Sequence, residues 1–247
     1  MVKTSLAQLS WVEAQKYFSE NDIVILPIGS TEQHGPQNPL GTDHLIAEKI
    51  AEKVSEKTGI LSMPVIPYGV SRHHKHFPGT IYVSENIFEK YVEEVCTSLI
   101  RYGVSKILVI NGHGGNLLSL IKVSGELREK YNVFMVIMQW WSLSSIKNLG
   151  IFKGDERYHA GAEETSLIMY LYPSLVDLDK AVDEKPKKLS LSKYNVYYYT
   201  YTRDISESGV HGRVRTASKE RGKKVFDIIV EETIKILDEM RNLRLSR

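Results

Sequence analysis

A single cysteine, Cys96, among 247 residues excludes an intrachain disulfide framework, so the fold does not depend on an oxidising compartment. Its neighbours follow a helical pattern, which makes it a small core residue. Long apolar runs are missing as well: none approaches the ~20 residues a membrane helix needs. The opening stretch, residues 1–10, lacks the apolar core of a signal peptide. A cytoplasmic protein is the expectation. Charge of one sign is missing too: 32 basic against 30 acidic residues leave a net +2. That balance removes the electrostatic argument for nucleic acid or a membrane surface as partner. Internal repeats and low-complexity segments are absent. What remains is an ordinary globular composition, 42% hydrophobic and 25% charged. The length suits one large α/β domain with a sizeable core, and residues 1–247 are expected to form a single domain.

The pattern that is present alternates strand and helix. Strands are predicted over Ile23–Ile28 and over residues 61–67, 106–110 and 133–138. Helices are predicted over residues 11–19 (capped by Ser10), 45–57, 87–102, 117–131, 163–170 and 217–242. Pro173 must end the fifth of these. Strands separated by helices of this length imply right-handed crossovers. The fold class is therefore α/β, a three-layer α/β/α sandwich with a mostly parallel central sheet. Residues 177–212 break the alternation with a basic run (Lys185, Lys187, Lys188) and a tyrosine-rich run (Tyr194, Tyr197, Tyr198, Tyr199, Tyr201). This segment is an excursion from the sheet suited to a surface or oligomer contact. A solvated hairpin with ordinary core tyrosines accounts for the same residues equally well.

Chemistry concentrates at two strand ends. The first strand runs into Glu32-Gln33-His34-Gly35 and then Gly41-Thr42-Asp43. The strand at residues 106–110 runs into Asn111-Gly112-His113-Gly114-Gly115-Asn116. Carboxylates and neutral imidazoles suit zinc, manganese or iron, and open α/β sheets bind ligands beyond the carboxyl ends of their strands. Singly, each element has a plainer account: a polar loop histidine, a helix-capping Asp43, a tight glycine turn. Together, Glu32, His34, Asp43 and His113 make a metal site. The amides of Gly114, Gly115 and Asn116 are candidates to hold an anion or a developing oxyanion. A third element, His159-Ala160-Gly161-Ala162-Glu163-Glu164, offers a proton carrier in His159. Its two acids also suit a plain helix start. Trp140 and Trp141 follow a strand and are placed to wall a pocket.

These motifs resemble the creatininase (creatinine amidohydrolase) family. The resemblance rests on Glu32-x-His34-Gly35, Thr42-Asp43, Phe77-Pro78-Gly79-Thr80, Asn111 to Asn116, His159-Ala160-Gly161 with Glu164-Thr165-Ser166, and Ser208-Gly209-Val210-x-Gly212. They occur in the family's order and span nearly the whole chain. The resemblance implies a binuclear centre of two divalent ions, zinc first, manganese or iron next. It also implies hydrolysis of a C–N bond in a small-molecule amide or cyclic amide by a metal-activated hydroxide. Carried over, Glu32, Asp43 and His113 hold one ion. His34 holds the other, and Asp43 bridges. His74 stands at a position that touches substrate, whereas His73 and His76 match nothing and are expected at the surface. A homohexamer is the family expectation.

One departure matters. Creatininases proper place a glutamate two residues after the motif histidine, where this chain has Gly115. The Gly-Gly form resembles the wider family, which includes the formamide hydrolase of flavin and deazaflavin synthesis and a mycofactocin-precursor peptidase. That points away from creatinine itself. The second ion then needs another carboxylate: Glu164, with Glu163 as fallback because it lies four residues after His159. His159 is expected to pass a proton to the leaving nitrogen. A nucleotide-like substrate would need a phosphate site, for which Arg72, Lys75 and Arg213 are candidates, although a solvated face suits them better. A non-catalytic metal-binding protein is the rival from another class.

Overall fold

The computed structural model describes residues 3–194, 196 and 198–244, so Tyr197 of the tyrosine run lies outside the described residues. Its elements are α1 (Trp11–Glu20), β1 (Ile23–Ile28), α2 (Thr42–Thr58), α3 (Glu85–Ile100), β2 (Lys106–Asn111), α4 (Leu117–Tyr131), β3 (Phe134–Gln139), α5 (Ser144–Leu149), α6 (Ala162–Leu171), α7 (Thr202–Ile205) and α8 (Lys219–Asn242). The helix ends follow local chemistry. Ser10 and Glu13 close a reciprocal capping box at the start of α1. Gly59, at φ +71°, ends α2 in the left-handed conformation. The chain turns out of α6 before Pro173.

The sheet is open and all-parallel in the order β1-β2-β3, with Ile23 opposite Lys106 and Lys106 opposite Phe134. Alternate strand residues feed two cores. Ile23, Ile25, Leu108 and Ile110 pack against α2, α6 and α8. Val24, Leu26, Ile28, Ile107 and Val109 pack against α3 and α4. Cys96 lies fully buried in the second of these. The sheet is thus covered on both faces, which is why its strands read as continuous apolar runs.

The strand expected over residues 61–67 forms only isolated pairings with β1. The Ile25 amide donates to Leu61 O and the Ile25 carbonyl accepts from Met63, as a parallel ladder requires. The next rung calls for an amide at residue 27, and Pro27 has none. Pro64 lies opposite. The segment slips by one residue and pairs again where Ile66 donates to Pro27 O and Gly29 to Ile66 O. Two prolines thereby turn a fourth strand into a bulged edge.

Among the described residues no helix is long and apolar enough to cross a membrane. Within 177–212 the described residues form short helical turns, α7 and a single bridge between Glu184 and Gly212.

A buried ion pair ties α8 to the loop before α6. Glu156, 6% exposed, accepts from Thr216 Oγ1 at 2.6 Å, from both terminal nitrogens of Arg221 at 3.1 Å and from the Lys153 amide. Burial alone would raise this carboxyl, but Arg221, Thr216 and the amide hold it at about 2. The stabilisation is complete above the ordinary value near 4.5 and disappears as pH falls through about 2. Arg221→Met should cost toward the lower end of about 3–5 kcal/mol, because Arg221 is partly exposed. It should also flatten the acid limb of stability against pH. Chemical denaturation between pH 2 and 7 measures both.

Candidate metal centre

The carboxyl ends of β1 and β2 lie side by side, and the first turn of α2 rests directly on them. Two glycines permit that approach. A side chain at Gly112 would put its Cβ 2.3 Å from the Asp43 carbonyl oxygen, and one at Gly29 would sit 2.4 Å from the His44 nitrogen. Asp43, in the first turn of α2, makes no capping hydrogen bond, so its carboxylate is free to face the strand ends.

Asn111 and Asn116 shape the second strand end. Asn111 donates to His113 O at 2.7 Å and accepts from the His113 amide at 3.2 Å. Asn116 accepts from the Val70 amide at 2.8 Å and donates to Gly29 O at 3.0 Å, which ties three loops together. Its side chain is therefore spent on the scaffold, and it is absent from the cavity wall, contrary to the expectation that it binds substrate. The Asn116 amide donates to His113 O, so it is not free for an anion either. Gly114 and Gly115 do line the cavity. At Gly115 a Cβ would fall 2.2 Å from Val70 O and 2.5 Å from His113 Nε2. This backbone has no room for a ligand side chain there.

The four strand-end residues converge. Asp43 Oδ1 lies 2.9 Å from His34 Nε2, and Asp43 Oδ2 lies 3.1 Å from His113 Nδ1. Glu32 Oε2 lies 3.1 Å from His113 Nδ1, and Glu164 Oε2 lies 3.9 Å from His34 Nε2. Yet both Glu32 oxygens, His34 Nε2 and Asp43 Oδ2 are buried without a hydrogen-bond partner. Buried carboxylate oxygens and ring nitrogens this close together describe ligands around an ion. Ligands about 2.0–2.2 Å from a tetrahedral zinc stand roughly 3–3.5 Å apart. The described side chains form three overlapping candidate ligand groups: Glu32, Asp43 and His113; His34, Glu164 and His159; and Glu32, His74 and His159. Asp43 presents one oxygen to the first and one to the second.

Neighbours orient the rings. His113 Nε2 lies 3.1 Å from Val70 O, and His34 Nδ1 lies 3.1 Å from Glu32 O. We assign the N–H to those atoms, which leaves His113 Nδ1 and His34 Nε2 as ligands. The electrostatics agree. Burial opposes charge on His34, but Asp43, Glu164 and Glu32 raise it to about 10. Burial likewise opposes charge on His113, which Glu32 and Asp43 push well above the ordinary histidine range. Burial would raise Asp43, yet the two histidines hold it well below the carboxylate range. Burial and Asp43 raise Glu164 to about 7 against the pull of His34. Protons held between such groups are what metal ions displace.

His159 sits over this centre, its ring 4.5 Å from His34 and 4.4 Å from His74. Its Nε2 lies 3.0 Å from Gln33 O and 2.8 Å from Gln33 Nε2, and its Nδ1 faces Glu32 Oε1 at 4.0 Å. Burial first, then the neighbouring His34, His211 and His113, hold His159 well below the usual range, so it is neutral. Gln33 supports the arrangement. Its amide reaches His74 Nδ1 at 2.9 Å and Gly209 O at 3.1 Å, and its oxygen accepts from the Gly35 amide. Ala160, at φ +56°, bends the chain so that its amide donates to Glu164 at 2.6 Å.

A cavity of about 390 Å³ opens onto the centre, lined by Glu32, Asp43, His74, His113, Gly114, Gly115, Trp140, Trp141, His159 and Glu164. His73 lines it as well, its ring stacked at 5.7 Å on His113, where the sequence placed it at the surface. The helical turn at Arg72–His74 rolls it inward. His76 is exposed against Tyr201, as expected. Glu163 lies beside the centre but pairs with Arg157 at 3.3 Å and joins neither ligand group with Asp43. Arg72, Lys75 and Arg213 do not line the cavity, and Arg213 pairs with Asp155 at 2.8 Å.

Gln33, Arg157 and His211 went unmarked in the sequence. Gln33 lay between two marked residues and His211 at the open position of the last motif. Arg157 carried no signal, because only the fold brings it to the cavity.

Comparison with known proteins agrees with this geometry. A family model for creatinine amidohydrolase matches residues 7–237. The creatinine amidohydrolase of Pseudomonas putida is 29% identical over 92% of this chain and 93% of its own. The mycofactocin precursor peptide peptidase of Mycolicibacterium smegmatis is 31% identical over 83% of this chain and 79% of its own. A zinc–zinc form of a creatininase variant superposes with a TM-score of 0.85 at 27% identity, over 98% of this chain and 100% of its own. A manganese form of creatininase gives 0.86 at 26%, with the same coverage.

Proposed function

Because the chain belongs to the creatininase family, we propose that it is a metal-dependent amidohydrolase that cleaves a C–N bond of a small amide or cyclic amide. The observation that carries this reading is the set of buried, unpartnered oxygen and nitrogen atoms on Glu32, His34 and Asp43. Glu32, Asp43 and His113 would hold one divalent ion. His34 and Glu164 would hold the other, with Asp43 shared. Zinc is the first choice, with manganese or iron as alternatives. When bound, such a pair lowers the pKa of water toward neutrality and polarises a carbonyl.

The protein's own groups do the rest. Trp140, His74 and the Gly114–Gly115 turn confine the substrate. His159, neutral and with Nδ1 facing the carboxylates, would take the proton released by the attacking water and deliver it to the leaving nitrogen. His159→Ala should lower turnover by about 10²–10⁴-fold while metal content stays intact. Loss of metal from this variant would make His159 a ligand instead.

The cavity wall disfavours a phosphorylated substrate, since Arg72, Lys75 and Arg213 lie off it and Arg157, which lies on it, is engaged by Glu163 and Trp141 O. A peptidase role is the second reading, supported by the mycobacterial relative. We also place the chain in the cytoplasm as a homohexamer, which native mass spectrometry tests. Elemental mass spectrometry tests the main proposal. About two ions per wild-type chain, with loss in Glu32→Ala and in His113→Ala, is the expected result. Absence of metal in the wild type, before and after loading with zinc, manganese or iron, overturns it.

A further inference from the structure

Glu163 is a buried carboxylate that the metal centre does not use. It is 1% exposed in the first turn of α6 and lines the cavity shared with Glu32, Asp43 and Glu164. Its Oε2 lies 3.3 Å from Arg157 Nε. Its Oε1 is buried with no hydrogen-bond partner. Arg157 could in principle hold both oxygens with its fork of donors. Instead its Nη2 donates to Trp141 O at 2.6 Å. One guanidinium edge is thus spent on the tryptophan wall, and the glutamate is gripped by a single oxygen. A buried acceptor left without a donor is costly, and here it stands at the wall of the substrate cavity.

We propose that Glu163 is a substrate-positioning residue whose free oxygen accepts a hydrogen bond from an N–H of the substrate. The substrate class is then an amide or cyclic amide that keeps at least one N–H beside the scissile unit, as a ureide or secondary amide does. A fully N-alkylated amide leaves Oε1 unpaired and is rejected. This inference rests on the metal-dependent amidohydrolase reading and adds the feature by which the site selects.

The test uses two cyclic ureas, 2-imidazolidinone, which has two N–H groups, and its 1,3-dimethyl derivative, which has none, with any hydrolysis read in the same spectra. Binding of each to the metal-loaded protein is followed by ligand-observed NMR. The wild type should favour the parent compound by about tenfold. Glu163→Met should bring the two within about twofold with metal content unchanged, since one hydrogen bond to a carboxylate accounts for a difference of about tenfold or more. Should that variant not fold, Glu163→Asp keeps the charge but withdraws the oxygen by one methylene, and the same loss of preference is expected. No preference in the wild type overturns the proposal. So does a preference that survives in the variants, or metal loss in Glu163→Met, which would make Glu163 a ligand. Failure of the hydrolase reading shows separately, as absence of metal in the wild type.

Discussion

Replacing Asp43 by alanine should empty both metal positions at once. Its carboxylate spans the two proposed ion positions: Oδ1 lies 2.9 Å from His34 and Oδ2 3.1 Å from His113. Asp43→Ala also deprives the two histidines of a shared counter-charge that helps raise them above the ordinary range. Metal content should fall from about two per chain to near zero. Hydrolysis should fall by about 10³-fold or more, since each 1.4 kcal/mol of lost electrostatic stabilisation costs a factor of ten. Asp43→Asn, similar in shape but uncharged, should bind metal far more weakly than the wild type. Retention of both ions in Asp43→Ala would sink the shared-ligand arrangement. Elemental analysis reads it directly.

The second large effect comes from a residue that touches no metal. Gly112→Ala puts a methyl 2.3 Å from the Asp43 carbonyl oxygen, a separation that non-bonded atoms do not tolerate. The obstacle is backbone, not the tip of a flexible chain, so the first turn of α2 must lift. Overpacking of this kind costs about 1–3 kcal/mol of stability. The cost to function should be larger in proportion, because the displaced turn carries Asp43. Misplaced supports of a metal site cost 10–100-fold in affinity or activity. Metal affinity lowered in that range, in a variant that still folds cooperatively, is the expected result of a zinc competition titration. Unchanged affinity would show that the strand end gives way instead. Gly29→Ala should behave similarly through the His44 nitrogen, 2.4 Å from its added Cβ.

Much of this was legible beforehand. Ile23–Ile28 is the observed β1, residue for residue, because a strand buried on both faces writes itself as an unbroken apolar run. The ligand types were legible because strand-end carboxylates and imidazoles have few other uses in combination. The bulged edge at residues 61–67 was not. Its failure needs Pro27 and Pro64 to face one another, and that pairing exists only across strands. The inward turn of His73 was equally hidden, since its neighbours in sequence are exposed Arg72 and buried His74.

The sequence by itself determined the fold class, the family and the candidate residues proposed to carry the chemistry, because these depend on periodicity and on which functional groups are present. Only the tertiary structure decided their division of labour. It placed Asp43 between two ligand groups, spent Asn116 on tying loops together, chose Glu164 over Glu163 for the centre and brought Arg157 to the cavity wall. Each of these is a matter of distance and direction between segments far apart in the chain. Such relations are set by how helices seat on the sheet, down to whether a glycine leaves room for the next turn.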